Sequence, residues 1–189
     1  MTRLTRRGFA ALSAAALAAP AFAAPTAGSQ RPIVIAHRGS SGERPEHTPM
    51  AYRRAVTQGA DFIEPDLVMT KDGARVARHE NETSETTDIA DHPEFAARRT
   101  KKTIDGVPIE GWFTEDFTLA ELKTLRAVER LPKLRPQSAA FSGQETIPTF
   151  QEVVDLARAE GVGRGRRVGV YPGTRHAACW GRGGRQMVE

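Results

Sequence analysis

Two apolar runs in the first third of the chain each lead into charged residues. Residues 32–36 form a continuous apolar run that ends in a His-Arg pair starting at His37. Residues 60–69 form a second run, which carries Glu64 and Asp66. Short apolar runs between turn residues are typical of buried strands, and alternation along a strand places Glu64 and Asp66 on the same face. The pattern therefore predicts two buried strands that end in one polar site.

Capping residues predict three helices between further strands. The helices are expected to begin after Thr48, Thr118 and Thr149, each of which can accept a hydrogen bond from the first turn. Additional strands are predicted at residues 74–78 and 167–172. Because strands alternate with helices, the chain is expected to be an α/β protein with a parallel sheet covered by helices.

The segment from residue 80 to residue 117 shows no clear period. It is polar, and its aromatic residues Trp112 and Phe113 are isolated from other apolar residues. A long segment without regular structure is uncommon unless it has a functional role. We therefore expect an irregular insertion that covers the site.

The N-terminal residues have the order of a secretory signal. A basic region with paired arginines at Arg6 and Arg7 precedes an Ala-rich apolar stretch and a small-residue cleavage pattern that ends at Ala23. The alternative is an N-terminal helix of the fold, but the apolar run is too short to span a bilayer. Residues 1–23 are thus predicted to be a twin-arginine signal peptide, with export to the periplasm or beyond and no stable membrane span.

Charge and cysteine content exclude several classes of protein. The net charge is +4, but residues 1–23 contain three arginines and no acidic residue, and residues 24–162 carry a net charge of −4. A basic surface for nucleic acid is therefore not expected. The single cysteine, Cys179, excludes an internal disulfide framework and a cysteine-based metal cluster.

Candidate chemistry lies at three successive strand ends. His37 and Arg38 follow the first strand, Glu64 and Asp66 lie in the second, and His79 follows the third. Two carboxylates on one inward face favour a divalent cation with oxygen ligands, Ca²⁺ or Mg²⁺, unless they lie at a solvated strand end. A guanidinium suits a phosphate and an imidazole suits proton transfer, so the set is typical of a phosphoryl-transfer site.

The ordered motifs resemble the exported glycerophosphodiester phosphodiesterases. The resemblance covers about residues 32–176, and its motifs are His37-Arg38-Gly39, Pro45-Glu46-His47-Thr48, residues 59–73, residues 87–91, residues 117–119, residues 147–150 and residues 169–172. It implies a TIM (β/α)8 barrel. It also implies metal-dependent hydrolysis of glycerophosphodiesters, such as glycerophosphocholine, to glycerol 3-phosphate and an alcohol.

The resemblance assigns a role to each motif residue. His37 and His79 would be the acid/base pair, and Arg38 and Arg175 would bind the substrate phosphate. Glu64 and Asp66 would bind the metal ion. Glu46 would be a supporting acid, and His47 would have a structural role. Ca²⁺ is favoured over Mg²⁺ because the relatives in question are exported. The alcohol released and the oligomeric state are left open.

The chain departs from the family pattern near its end. Gly173 stands where the family has a third metal-binding glutamate, and Arg175 stands where it has a lysine. Residues 177–189 are rich in Gly and Arg and no longer resemble the family. A TIM barrel needs about 250 residues. We therefore expect the N-terminal half of a barrel with a divergent tail, produced by a frameshift or premature stop rather than selected for RNA binding, and low activity.

Two other functions remain open at this point. The first is a non-catalytic fragment that binds phosphodiesters or anionic surfaces without turnover, because Gly173 leaves the expected metal site incomplete. The second is a related phospholipase that acts on intact lipids, although no exposed apolar entry surface stands out in the sequence.

Overall fold

The computed structural model describes residues 31–174 of the chain. The predicted signal peptide at residues 1–23, Arg175 and the tail at residues 177–189 lie outside the described residues. The strands and α-helices of the described part are β1 (Ile35–His37), α1 (Pro49–Thr57), β2 (Phe62–Glu64), β3 (Asp66–Met69), β4 (Arg75–Ala77), β5 (Thr100–Ile104), β6 (Val107–Gly111), α2 (Leu119–Leu122), α3 (Pro136–Ala139), α4 (Phe150–Gly163), β7 (Gly169–Val170) and β8 (Gly173–Thr174). None of the helices in this described range is long and apolar enough to cross a membrane.

The strands form two three-stranded sheets and one hairpin. The first sheet has the order β1-β2-β7 and is parallel, with His37 opposite Glu64. The second has the order β4-β3-β8, in which β3 pairs antiparallel with β4 and parallel with β8. The α/β class and the parallel pairing of β1, β2 and β7 are confirmed. The antiparallel pair arises because the tight turn at residues 71–73 returns β4 directly alongside β3.

The predicted second strand at residues 60–69 is divided at Pro65. Proline has no N–H group to donate to a neighbouring strand, so the regular pairing is interrupted there. The partner segment is interrupted in the same way at Pro172. The backbone N–H of Tyr171 donates to Ile63 at 2.9 Å and that of Gly173 donates to Pro65 at 2.9 Å. The two segments therefore stay in register through both prolines and bring Gly173 beside Asp66.

The first strand is less buried than expected. It forms one edge of its sheet, and the side chains of Ile33, Val34 and Ile35 are 67%, 50% and 47% exposed. The prediction of a buried first strand was therefore wrong. The second strand, which lies between β1 and β7, is buried at Ile63 and Glu64.

Helices α1 and α4 cover the first sheet. The Thr48 hydroxyl accepts a hydrogen bond from the first turn of α1, and Thr149 forms a full capping box with Glu152 at the start of α4. The two helices and the sheet share one apolar cluster, which consists of Tyr52, Ala55, Val56, Ala60, Ile63, Ala77, Val153 and Ala157. The predicted caps are confirmed, and both helices stabilise the strands that carry the site.

The segment at residues 80–117 contains more regular structure than predicted. It holds three short 3₁₀ helices and the antiparallel hairpin of β5 and β6. Asp105 and Gly106 form its turn with φ values of 49° and 84°, which is the backbone of a tight two-residue hairpin turn. Phe95, Trp112 and other apolar residues of the segment are buried in a second core cluster. The expectation of an irregular segment was therefore wrong, because the Asp-Gly turn signal was overlooked among polar residues.

Candidate active site

The chain turns sharply where β1 ends. Arg38 and Gly39 adopt φ values of 60° and 79°. The backbone N–H of Arg38 donates to the backbone oxygen of Glu64 at 3.1 Å and to its side-chain Oε2 at 2.9 Å. A Cβ atom placed on Gly39 would lie 2.8 Å from the backbone carbon of Ala51, so only glycine fits this turn. The turn fixes the backbone of Arg38 directly against the carboxylate of the neighbouring strand.

Three potential cation ligands converge at this point. One side-chain ligand atom from each of His37, Glu64 and Asp66 lies within 4.8 Å of the others. Asp66 is 1% exposed and Glu64 is 8% exposed, whereas His37 is exposed to solvent. Burial raises the pKa of Glu64 above its usual value, and the neighbouring Asp66 adds to this shift. A bound cation would relieve both effects, so the residues present fit a hard divalent metal ion.

Glu46 pairs with arginine side chains and is not one of the three potential cation ligands. Nη1 of Arg38 donates to both carboxylate oxygens of Glu46 at 3.2 Å. Nε of Arg130 lies 3.5 Å from Glu46 Oε2. Nε of Arg38 also lies 3.6 Å from Asp66 Oδ2, so two carboxylates fix the orientation of this guanidinium. The sequence predicted Glu46 as a supporting acid, and the structure places it as the anchor of Arg38.

Two arginines near the site were missed from the sequence. Arg130 lies in the connection between α2 and α3, which has no periodic pattern to draw attention to it. Arg78 is 1% exposed and donates from Nη1 to the backbone oxygen of Glu46 at 3.3 Å. Burial lowers the pKa of Arg78 to about 10, so its side chain is still a cation at neutral pH. Both guanidiniums offset the negative charge of the buried carboxylates.

His79 is placed at the same end of the second sheet. The backbone N–H of Arg78, the residue before it, donates to the backbone oxygen of Asp66 at 3.0 Å. The side chain of His79 is 19% exposed, and its Nδ1 is paired with a carboxylate oxygen of Glu80. Pairing with a carboxylate orients an imidazole for proton transfer. The acid/base role of His37 and His79 stays a prediction.

Gly173 borders the carboxylate pair. A Cβ atom placed on Gly173 would lie 2.8 Å from Asp66 Oδ1 and 3.3 Å from Glu64 Oε1. Any side chain at this position would therefore point into the group formed by the two carboxylates. The resemblance places a third metal-binding glutamate here, and the geometry agrees with that position. The second residue of the same motif, Arg175, lies outside the described residues.

Comparison with known proteins identifies the family. The model of the glycerophosphoryl diester phosphodiesterase family matches residues 37–184. The chain belongs to this family. Family members are metal-dependent, which agrees with the convergence of His37, Glu64 and Asp66.

Several relatives share the name. The chain is 46% identical over 144 residues to a glycerophosphodiester phosphodiesterase of Arabidopsis thaliana, covering 76% of this chain and 37% of that protein. It is 33% identical over 148 residues to a glycerophosphodiester phosphodiesterase of Haemophilus influenzae, covering 74% of this chain and 38% of that one.

Solved structures of the family share the fold. A phosphodiesterase of Oleispira antarctica, solved with the product sn-glycerol-3-phosphate, is 28% identical with a TM-score of 0.54, covering 79% of this chain and 47% of that one. A protein of the same family from Silicibacter pomeroyi has a TM-score of 0.57 at 21% identity, covering 78% and 46%. The chain thus spans less than half the length of these relatives. Its described residues form part of a TIM barrel and contain no closed barrel.

Proposed function

We propose that the chain carries the phosphate- and metal-binding part of a phosphodiesterase that hydrolyses glycerophosphodiesters, such as glycerophosphocholine, to glycerol 3-phosphate and an alcohol. One observation carries the proposal. The guanidinium of Arg38 is fixed by Glu46 and Asp66 beside the group of His37 and Glu64. A phosphate diester needs a fixed cationic fork and proton-transfer groups at neighbouring positions, and this arrangement supplies both.

Glu64 and Asp66 would hold the metal ion, and the His37 ring lies beside these two carboxylates. A divalent cation bound there would neutralise charge on the phosphate oxygens as a Lewis acid. We propose Ca²⁺ rather than Mg²⁺. Calcium accepts carboxylate oxygens in flexible geometry, whereas magnesium demands a near-octahedral set. The raised pKa of Glu64 supports a cation at this position.

The protein groups around the substrate have separate roles. Arg38 would donate to the phosphate from Nη2, because Glu46 accepts from Nη1 and Asp66 lies beside Nε. One of the two imidazoles, His37 or His79, would take a proton from the attacking hydroxyl group. The other would give a proton to the alcohol oxygen as its bond to phosphorus breaks. The attacking hydroxyl group would be the neighbouring one on the glycerol, so departure of the alcohol would leave a cyclic phosphate, and water would then open this ring to give glycerol 3-phosphate.

We further propose that the protein is exported. The paired arginines and the Ala-rich stretch within residues 1–23 support a twin-arginine signal peptide. Glycerophosphodiesters outside the cytoplasm would then be its substrates. Expression with a fused reporter, in cells with and without the twin-arginine pathway, tests this proposal.

The second candidate function is binding of phosphodiesters without turnover. It is favoured by Gly173, which supplies no carboxylate at a position that faces Glu64 and Asp66. The two functions differ in their dependence on metal, since turnover requires the cation whereas binding by Arg38 alone does not.

The release of sn-glycerol 3-phosphate from glycerophosphocholine tests the proposed function. We expect slow release with Ca²⁺, no release with a calcium chelator, and loss of activity in His37→Asn. His92→Asn is the matched control, because His92 pairs with Asp88 and Glu94 away from the site. Chelator-insensitive binding of glycerophosphocholine with no turnover would contradict the proposal and support the second candidate.

A further inference from the structure

A buried chain of polar side chains leads from α1 to Asp66. Nδ1 of His47 lies 2.9 Å from the hydroxyl group of Tyr52, and Nε2 lies 3.3 Å from Asp66 Oδ2. His47 and Tyr52 are 0% exposed, and Asp66 is 1% exposed. Polar groups this deeply buried are costly unless each faces a suitable partner. Tyr52 is hydrogen-bonded to His47, and Nε2 of His47 lies at ion-pair distance from Asp66 Oδ2 without hydrogen-bond geometry, so the three side chains form one buried unit.

The order of donors in this unit follows from the chemistry of its ends. The His47 ring is fully buried, and a neutral imidazole carries one proton on one of its two nitrogens. An ionised carboxylate only accepts hydrogen bonds, so the ring nitrogen facing Asp66 must hold that proton. The other nitrogen then accepts from Tyr52. Burial raises the pKa of Tyr52, which keeps its hydroxyl proton available.

The two oxygens of Asp66 face different surroundings. Oδ2 lies 3.3 Å from His47 Nε2 and 3.6 Å from Arg38 Nε. Oδ1 lies 2.8 Å from the position that a Cβ atom on Gly173 would take, and that position is 3.3 Å from Glu64 Oε1. One oxygen is therefore directed to the protein interior, and the other is directed toward the cation group.

The loop that carries His47 is fixed by its backbone. His47 has a φ value of 56°, and its N–H donates to the backbone oxygen of Arg38 at 3.2 Å. The next residue, Thr48, caps α1, and the N–H of Tyr52 donates to the Thr48 oxygen at 3.1 Å. The imidazole is thus held between the turn after β1 and the first turn of α1, and it has little freedom to move away from Asp66.

We propose that Tyr52 and His47 are positioning residues that fix the carboxylate of Asp66 so that Oδ1 is presented to the metal ion. The proposal rests on the proposed function, because it takes the cation to bind at Glu64 and Asp66. Outer-shell groups of this kind orient metal ligands in many metalloproteins, where they affect affinity about 10- to 100-fold. Here the orienting group is a histidine that does not itself bind the metal.

Tyr52→Phe tests the order of hydrogen-bond donors from Tyr52 through His47 to Asp66. Without the hydroxyl donor, Nδ1 of His47 loses its partner, while Nε2 keeps its proton toward the Asp66 carboxylate and the ring is held at one end only. We expect nitrogen-15 NMR to show His47 protonated at Nε2 in both proteins, with a changed Nδ1 chemical shift in Tyr52→Phe because its hydrogen bond is lost. Ca²⁺ titration followed by NMR should show affinity reduced by about 10-fold. Thr114→Val is the control, because it removes a buried hydroxyl group in another part of the fold.

A matched pair of substitutions at His47 separates positioning from packing. Gln and Met have similar shapes, and both would experience the same backbone strain at the positive φ of position 47. Only Gln carries a hydrogen-bond donor near the position of Nε2. We expect His47→Gln to retain most of the Ca²⁺ affinity and His47→Met to lose about 10-fold or more, at similar melting temperatures. A purely structural role would lower stability in both variants and leave Ca²⁺ affinity equal.

The outcomes distinguish the positioning role of Tyr52 and His47 from the proposed function of the whole site. A proton on His47 Nδ1 in the unmodified chain would overturn the proposed positioning of Asp66 by Tyr52 and His47, whether or not Ca²⁺ binds. Equal Ca²⁺ affinity in His47→Gln and His47→Met would also overturn it. Protonation at Nε2 with an Nδ1 chemical shift that changes in Tyr52→Phe, in a chain that binds no Ca²⁺, would support the donor order and overturn the proposed metal dependence.

Discussion

Gly173→Glu should convert a weak cation site into a strong one. The Cβ atom of the new side chain would start 2.8 Å from Asp66 Oδ1 and 3.3 Å from Glu64 Oε1, so its carboxylate has to join the existing pair. The φ value of Gly173 is not in the positive range that excludes other residues. The backbone therefore accepts a side chain, provided that the Asp66 carboxylate moves slightly.

The charge effect can be estimated from these positions. Like charges about 4 Å apart repel by about 4 kcal/mol at an effective dielectric constant near 20. For a domain of this size, each kcal/mol changes the melting temperature by roughly 2–4 °C. Without metal, Gly173→Glu should therefore melt at least about 5 °C below the unmodified chain. Ca²⁺ at about 100 times its Kd adds ~2.7 kcal/mol of stability, which should return more than about 5 °C.

Thermal unfolding with Ca²⁺ or with a chelator measures both effects. Gly173→Gln is the matched control, since it adds almost the same atoms in the same space without the charge. We expect a large Ca²⁺-dependent increase in melting temperature for Gly173→Glu and a small one for Gly173→Gln. Equal responses to Ca²⁺ in the two variants would refute the claim that Glu64 and Asp66 form a cation site beside position 173.

Three further predictions concern stability, pH and phosphate binding. Thr149→Ala should lower the free energy of unfolding by about 1 kcal/mol in urea denaturation because α4 loses its cap, and a similar loss in Thr149→Ser would contradict this. The hydrogen bond that the His92 ring donates to the Glu94 carboxylate raises the pKa of His92 above 6.5, so its stabilising effect should be complete below pH 6.5 and lost as the pH rises through the folded-state pKa. NMR titration should show a lower His92 pKa in Glu94→Gln, and an unchanged value would argue against this pair. Arg38→Lys should weaken binding of sn-glycerol 3-phosphate about 10-fold or more in calorimetry, since a lysine has one nitrogen and cannot contact both Glu46 and the phosphate as the guanidinium does, and unchanged affinity would exclude Arg38 as the phosphate ligand.

The strands and helices that support the site were predictable because their sequence signals are local. The caps at Thr48, Thr118 and Thr149 marked real helix starts. The β5-β6 hairpin was missed because its strands are mostly exposed and show no clear alternation of polar and apolar residues, and only the Asp-Gly turn marked it. The division of the second strand follows from Pro65, which an apolar run alone does not reveal.

The central site residues could be predicted because they follow directly from strand alternation. Glu64 and Asp66 do meet His37, as strand ends in neighbouring strands should. The contacts of Glu46 could not be predicted, because they join loops that have no periodic pattern. Arg130 reaches Glu46 from a distant connection, and no signal in its surrounding sequence indicates that contact.

Calorimetric binding of sn-glycerol 3-phosphate, with Ca²⁺ and with a chelator, shows whether a cation and Arg38 bind one phosphate together. We expect Ca²⁺ to strengthen binding to the unmodified chain and Asp66→Asn to remove this dependence, because the cation and Arg38 would contact the same phosphate. Thr114→Val should behave like the unmodified chain. Binding that is indifferent both to Ca²⁺ and to Asp66→Asn would contradict a metal-assisted phosphodiesterase site and indicate phosphate recognition by Arg38 alone.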